Sequence, residues 1–87
     1  MGGEQWQPIA DAILLYYKHK GLSDQEACDK LNEKCNPERT LVAARNRLST
    51  LRNKNPKLCV DGRYNLEEIL QQYRDIMPQV VMRTLGM

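Results

Sequence analysis

Proline or glycine stands at positions 8, 21, 37, 56, 62 and 78, and no segment between these breakers is long enough for more than a short helix or a hairpin. A chain punctuated this way must bury its apolar surface by packing several short elements on one another. The apolar residues follow the punctuation. Trp6, Ile9, Ala10, Ile13, Leu14 and Tyr17 recur at helical spacing, with Pro8 suited to a first turn and Gly21 to an end, which predicts a helix over 8–19. Ser23-Asp24-Gln25-Glu26 has the S-x-x-E form in which the serine hydroxyl and the glutamate carboxylate each accept from the other residue's backbone amide. A second helix therefore begins near Asp24. Leu22 stands ahead of it as a staple, Ala27, Cys28 and Leu31 form its inward stripe, and Asn36-Pro37 stops it.

Thr40 is placed to cap a third helix, which reads to about Asn53 before Asn55-Pro56 ends it. The stretch from Leu58 to Tyr64 has short β-prone arms around Asp61-Gly62, a strong hairpin signal. Asn65 then caps a last predicted helix, 66–77, carrying Leu66, Ile69, Leu70, Tyr73 and Met77 and limited by Pro78. With 87 residues the chain makes one domain with a thin core. The expected organisation is a flexible N-terminus (1–5), a three-helix core (6–57), a hairpin or loop with a C-terminal helix packed on that core (58–77), and a tail (78–87) that is docked or disordered. The fold class is all-α.

The net charge of +2 conceals a strong asymmetry. Residues 1–38 carry four Lys/Arg and seven Asp/Glu, net −3; residues 39–63 carry seven and one, net +6; residues 64–87 carry two and three, net −1. Positive charge concentrated in one short segment favours a polyanionic partner, the plain alternative being a solvated basic face. Cys28, Cys35 and Cys59 are odd in number and form no CxxC pair, so neither a disulfide framework nor a zinc finger is indicated and no cofactor is expected. The chain has no apolar run of the ~20 residues that cross a bilayer, and its first residues lack the basic and apolar regions of a signal peptide. An intracellular setting without a membrane is expected.

On a helical wheel of the third helix, Leu41, Ala44, Leu48 and Leu51 share one side. Geometry then places Val42, Asn46, Ser49 and Asn53 opposite, with Arg45 and Thr50 at the margins and Arg47, Arg52 and Lys54 flanking the core stripe. A hydrogen-bonding strip edged by cations suits the DNA major groove, where Asn and Arg pair with base edges and peripheral cations neutralise phosphates. The alternative for the arginines is internal pairing with acids of the first two helices, notably Asp11, Asp29 and Glu33. Arg47, nearest the core, is open to either role.

The order of elements, with two packed helices joined by a short turn and a third bracing both, is that of a trihelical helix-turn-helix. The residues also resemble a family. Arg39-Thr40-Leu41-Val42-Ala43-Ala44-Arg45-Asn46-Arg47-Leu48 is similar to the start of the third helix of Myb/SANT-like domains. There an R-T pair precedes two variable positions, two small or polar ones and a basic pair around a variable residue. Trp6 followed by Asp11 and Ile13-Leu14 resembles the family's opening, and Leu22-Ser23-Asp24 sits where its second helix starts. Of the family's three spaced aromatics only Trp6 is kept, the others standing as Ala27 or Cys28 and as Leu48; the hairpin and fourth helix are additions. The chain thus resembles a divergent Myb-like or homeodomain-like domain. The resemblance implies base contacts at Arg45, Asn46 and Ser49, to which the wheel adds Val42 and Asn53. Phosphate contacts are expected from Arg39, Arg47, Thr50, Arg52, Lys54, Lys57 and Arg63.

Two functions follow as expectations. The first is a DNA-binding domain of a nuclear regulatory or chromosome-associated protein, acting on double-stranded DNA with residues 40–54 in the major groove. The second is a SANT-like interaction module, or a homodimer, using the apolar tail with Val80, Val81 and Met82. Enzymatic activity is not expected: His19 is the lone histidine, and there is no Gly-rich phosphate loop or Ser/His/Asp set.

Overall fold

The computed structural model describes residues 6–34 and 38–84. Its helices are α1 (Pro8–His19), α2 (Asp24–Lys34), α3 (Leu41–Lys54), α4 (Leu66–Gln72) and α5 (Met77–Thr84), with a two-stranded hairpin, β1 (Cys59–Val60) and β2 (Arg63–Tyr64), between α3 and α4. Single 3-10 turns at Pro56–Leu58 and Arg74–Ile76 join α3 to β1 and α4 to α5. The chain is mostly helical, so the all-α expectation holds at that level.

The first helix is the axis of the molecule. Ala10, Ala12, Ile13, Leu14 and Leu15 are buried on every side of α1, because α2, α3, α4, α5 and β2 all pack around it. A short helix that is apolar nearly all round has no other stable position. Its end is set by Gly21 at φ 95°, where the Gly21 and Leu22 amides turn back to donate to the Lys18 and Tyr17 carbonyls. The left-handed residue is what permits both bonds. Immediately afterwards Ser23 and Glu26 form the expected reciprocal cap: the Ser23 amide donates to the Glu26 carboxylate at 2.9 Å and the Glu26 amide to the Ser23 hydroxyl at 3.1 Å.

The start of α3 is held from α2. Asn32 donates from its side chain to the Arg39 carbonyl and accepts from the Arg39 amide, both at 2.8 Å, while the Thr40 hydroxyl caps the Ala43 amide at 3.1 Å. Ala44, Leu48 and Leu51 are buried and Leu41 is half-buried, as the wheel requires. The other end of α3 is fixed by Asn55, whose amide donates to Glu68 at 3.0 Å and Gln72 at 2.9 Å of α4.

The hairpin pairs Cys59 with Tyr64 and Val60 with Arg63. Asp61 and Gly62, at φ 54° and 78°, supply the two left-handed residues of a two-residue turn that matches strand twist. Beyond it the structure corrects the expected helix 66–77. The helix ends at Gln72, Tyr73 leaves helical geometry at φ −117° and ψ 29°, and a new helix starts at Met77. Pro78 therefore opens α5, where its missing amide hydrogen breaks no helical bond, and does not close α4. The reorientation brings Met77 and Val80 into the core, so the tail is docked through Thr84. Residues 1–5, 35–37 and 85–87, including the expected flexible N-terminus, Cys35 and the Asn36-Pro37 stop, lie outside the described residues.

Candidate nucleic-acid interface

With Ala44, Leu48 and Leu51 turned inward, the opposite side of α3 is exposed by necessity. Val42, Arg45, Asn46, Ser49 and Asn53 all lie on it and all are exposed, Val42 at 65%. The five expected base-contacting residues are thus brought together on one face. Asp and Glu are absent from α3, so no carboxylate of the helix itself opposes an anion. Thr50, also exposed, donates its hydroxyl to the Asn46 carbonyl at 3.0 Å, an internal helix bond that fixes its rotamer.

The two edges of this face differ. On one, Arg45 lies 3.4 Å from Asp24, which also pairs with Lys18 at 2.9 Å, and Arg52 donates to the Tyr64 hydroxyl at 2.8 Å. These three pairs link α3 to the start of α2, the end of α1 and the hairpin. The Lys18 hydrogen bond above all, with the Lys18 and Arg45 charges added, holds the Asp24 carboxyl below its usual range.

The opposite edge turns into the protein. Both Asp11 oxygens accept from Arg47, from Nε at 2.8 Å and Nη2 at 2.7 Å. Asp11 keeps only 6% of its side-chain surface exposed, and the Arg47 guanidinium carbon lies 6.0 Å from the Trp6 ring centre. The bond to Asp11 holds the Arg47 pKa up. Arg39 is 4% exposed and its guanidinium stacks 4.3 Å above the same ring. The structure thus places two of the expected phosphate contacts internally: Arg39 over the Trp6 ring, and Arg47 on the Asp11 carboxylate near that ring, where a planar cation meets an aromatic face and a fork-shaped acceptor. Next to them Tyr73 is buried, which with the Asp11 charge pushes its phenol up to about 12.

Among the remaining expected phosphate contacts, Lys54 ends α3, Lys57 lies in the following 3-10 turn and Arg63 on β2, and all three are exposed. Lys18 and His19 become neighbours of Tyr64 only through tertiary contacts between the end of α1 and the hairpin, which residue spacing does not reveal. The His19 Nδ1 atom donates to the Tyr64 carbonyl at 3.0 Å across 45 residues of chain, and the Lys18 ammonium lies 5.9 Å from the Tyr64 ring centre. A lone histidine beside a helix-ending glycine was the available signal. Cys28 is a buried core residue whose thiol, pushed up chiefly by burial, faces the Arg39 carbonyl at 3.3 Å. Among the described residues no cluster of His, Cys, Asp and Glu is arranged to hold a metal, and no helix is long and apolar enough to cross a membrane.

No family model, curated protein or solved structure matches the chain.

Proposed function

We propose that this chain is a DNA-binding domain of a nuclear regulatory or chromosome-associated protein. In this reading α1, α2 and α3 act as a trihelical helix-turn-helix core of Myb-like character, and α3 enters the major groove. The observation that carries it is the face of α3: exposed Val42, Asn46, Ser49 and Asn53 with Arg45 at one margin, no carboxylate on the helix, and Arg52, Lys54 and Lys57 along and beyond it. The Asn amide offers one donor and one acceptor to an adenine edge, the Arg guanidinium donates twice to the two acceptors of a guanine edge, and Val42 offers an apolar contact for a thymine methyl. With Arg39, Arg47 and the Thr50 hydroxyl engaged internally, the phosphate-contacting set is Arg52, Lys54, Lys57 and Arg63.

A salt-titrated binding assay with randomised duplexes tests this. Asn46→Ala or Arg45→Ala is expected to cost ~1–3 kcal/mol on the preferred site and to blunt base preference. Lys54→Ala is expected to weaken all sequences alike and to lower the salt slope by about one. Failure of the parent to bind any duplex at low salt would overturn the assignment. A second reading, a SANT-like protein-interaction module, rests on one observation: of the tail residues expected to form an apolar surface Val80 is buried, but Val81 and Met82 of α5 are exposed at 43% and 65%, with Leu70 of α4 at 41%. It predicts that Met82→Ser disturbs association while Asn46→Ala does not.

A further inference from the structure

Between the end of α1 and the hairpin lies a hollow of about 250 Å³ lined by Lys18, His19, Gly21, Gly62, Arg63 and Tyr64. Three of these six residues are cationic or become so on protonation, and they come from two elements joined only by tertiary contacts. The backbone around the hollow is closed: the Tyr16, Tyr17 and Lys18 carbonyls at the helix end already accept from Lys20, Leu22 and Gly21. That removes most of the negative end a helix would otherwise present to an anion.

Each side chain has a definable part. The His19 Nδ1–H bond to the Tyr64 carbonyl orients the ring and leaves Nε2 outside that bond, an atom that can donate when the ring is an imidazolium. Lys18 is a framing group, since Asp24 holds its ammonium at 2.9 Å and the Leu22 carbonyl accepts from it at 3.0 Å. Arg63 is exposed, and among the described residues no hydrogen bond or ion pair engages its guanidinium. A planar guanidinium beside an imidazole suits a tetrahedral oxyanion, to which it donates two bonds at once.

The hollow is tied to α3 by two of its lining residues. Tyr64 forms one wall and accepts from Arg52 of α3, while Lys18 shares Asp24 with Arg45 of α3. The hollow thus continues the Arg45–Arg52 edge of the α3 face. We propose that it seats a backbone phosphate of the nucleic acid whose groove receives α3, with Arg63 and His19 as donors. This inference rests on the DNA-binding reading above.

The test measures the salt dependence of duplex binding by the full chain and its Arg63→Ala, Arg63→Glu, His19→Ala and Asn46→Ala variants, each checked for an unchanged melting curve. Arg63→Ala is expected to weaken every duplex several-fold and to lower the salt slope by about one. Arg63→Glu should weaken binding further, and His19→Ala should do so in the same sequence-independent manner, while Asn46→Ala loses base preference and keeps its slope. If Arg63→Ala and Arg63→Glu bind with the parent's slope while Asn46→Ala weakens, the hollow is not used and the α3 reading stands. If the parent binds no duplex, both fail. A parallel NMR titration with inorganic phosphate separates the source of the anion: saturation at His19 and Arg63 by phosphate, with no duplex effect of Arg63→Ala, overturns the assignment to nucleic acid.

Discussion

Arg47 and Arg52 sit five positions apart on α3 and reach opposite fates. Arg52 stays exposed with one bond to a tyrosine hydroxyl, whereas Arg47 closes a two-point bond with a carboxylate that is almost wholly buried. Removing one partner of such a pair leaves the other's charge without compensation in a poor solvent. Arg47→Ala is therefore expected to cost about 2–4 kcal/mol of stability, measured by urea denaturation, with Arg47→Lys recovering part of it. A midpoint equal to the parent's would show the pair to be energetically idle. Periodicity put Arg47 beside the core stripe and left its partner open among several acids. Distance along the sequence is silent about which carboxylate lies across the interface. Arg39 was harder to read, because its burial depends on Trp6, a residue at the other end of the three-helix unit.

Elements, by contrast, carried their boundaries in local chemistry. The Ser23/Glu26 cap, the Thr40 cap, the Asp61-Gly62 turn and the Asn65 cap, whose side chain accepts from the Glu67 and Glu68 amides, depend on residues within a few positions and all occur where spacing placed them. The error at Pro78 has the same origin. A proline after an apolar helical stretch reads equally as a stop or as a first-turn residue, and only the need of Met77 and Val80 to reach α1 decides. At this scale the start of α2 also sets an acid limit. Asp24 is held below its usual 3.8 chiefly by Lys18, and Glu26 below its usual 4.5 chiefly by the Ser23 amide. Both folded-state values are depressed, so their stabilisation is present above those usual values and is lost as pH falls through the folded ones. Urea midpoints should be level near neutrality and decline below about pH 4, and Asp24→Asn should flatten that decline. An unchanged acid limb in Asp24→Asn would remove Asp24 from the account.

At the scale of the molecule, α1 is enclosed by later segments, and α5 supplies the last of the enclosure through Met77 and Val80. Val80 is fully buried, so Val80→Ala is expected to cost about 2 kcal/mol and to lower the melting temperature. A loss near zero would mean that α5 contributes little to the core. The candidate interface was legible to the extent that one helix determines it: the α3 face followed from the buried stripe alone. The hollow was not, because it needs the hairpin to return to the end of α1. That return has a kinetic consequence. A bond spanning 45 residues cannot form until the intervening three-dimensional arrangement exists, whereas the caps and the turn close within a few residues. The docking of the hairpin on α1, like that of α5, therefore belongs to steps of folding later than the closing of the caps and the turn. Amide exchange in β1 and β2 should report a local event cheaper than global unfolding, and a nucleic acid seated against the hairpin would slow it.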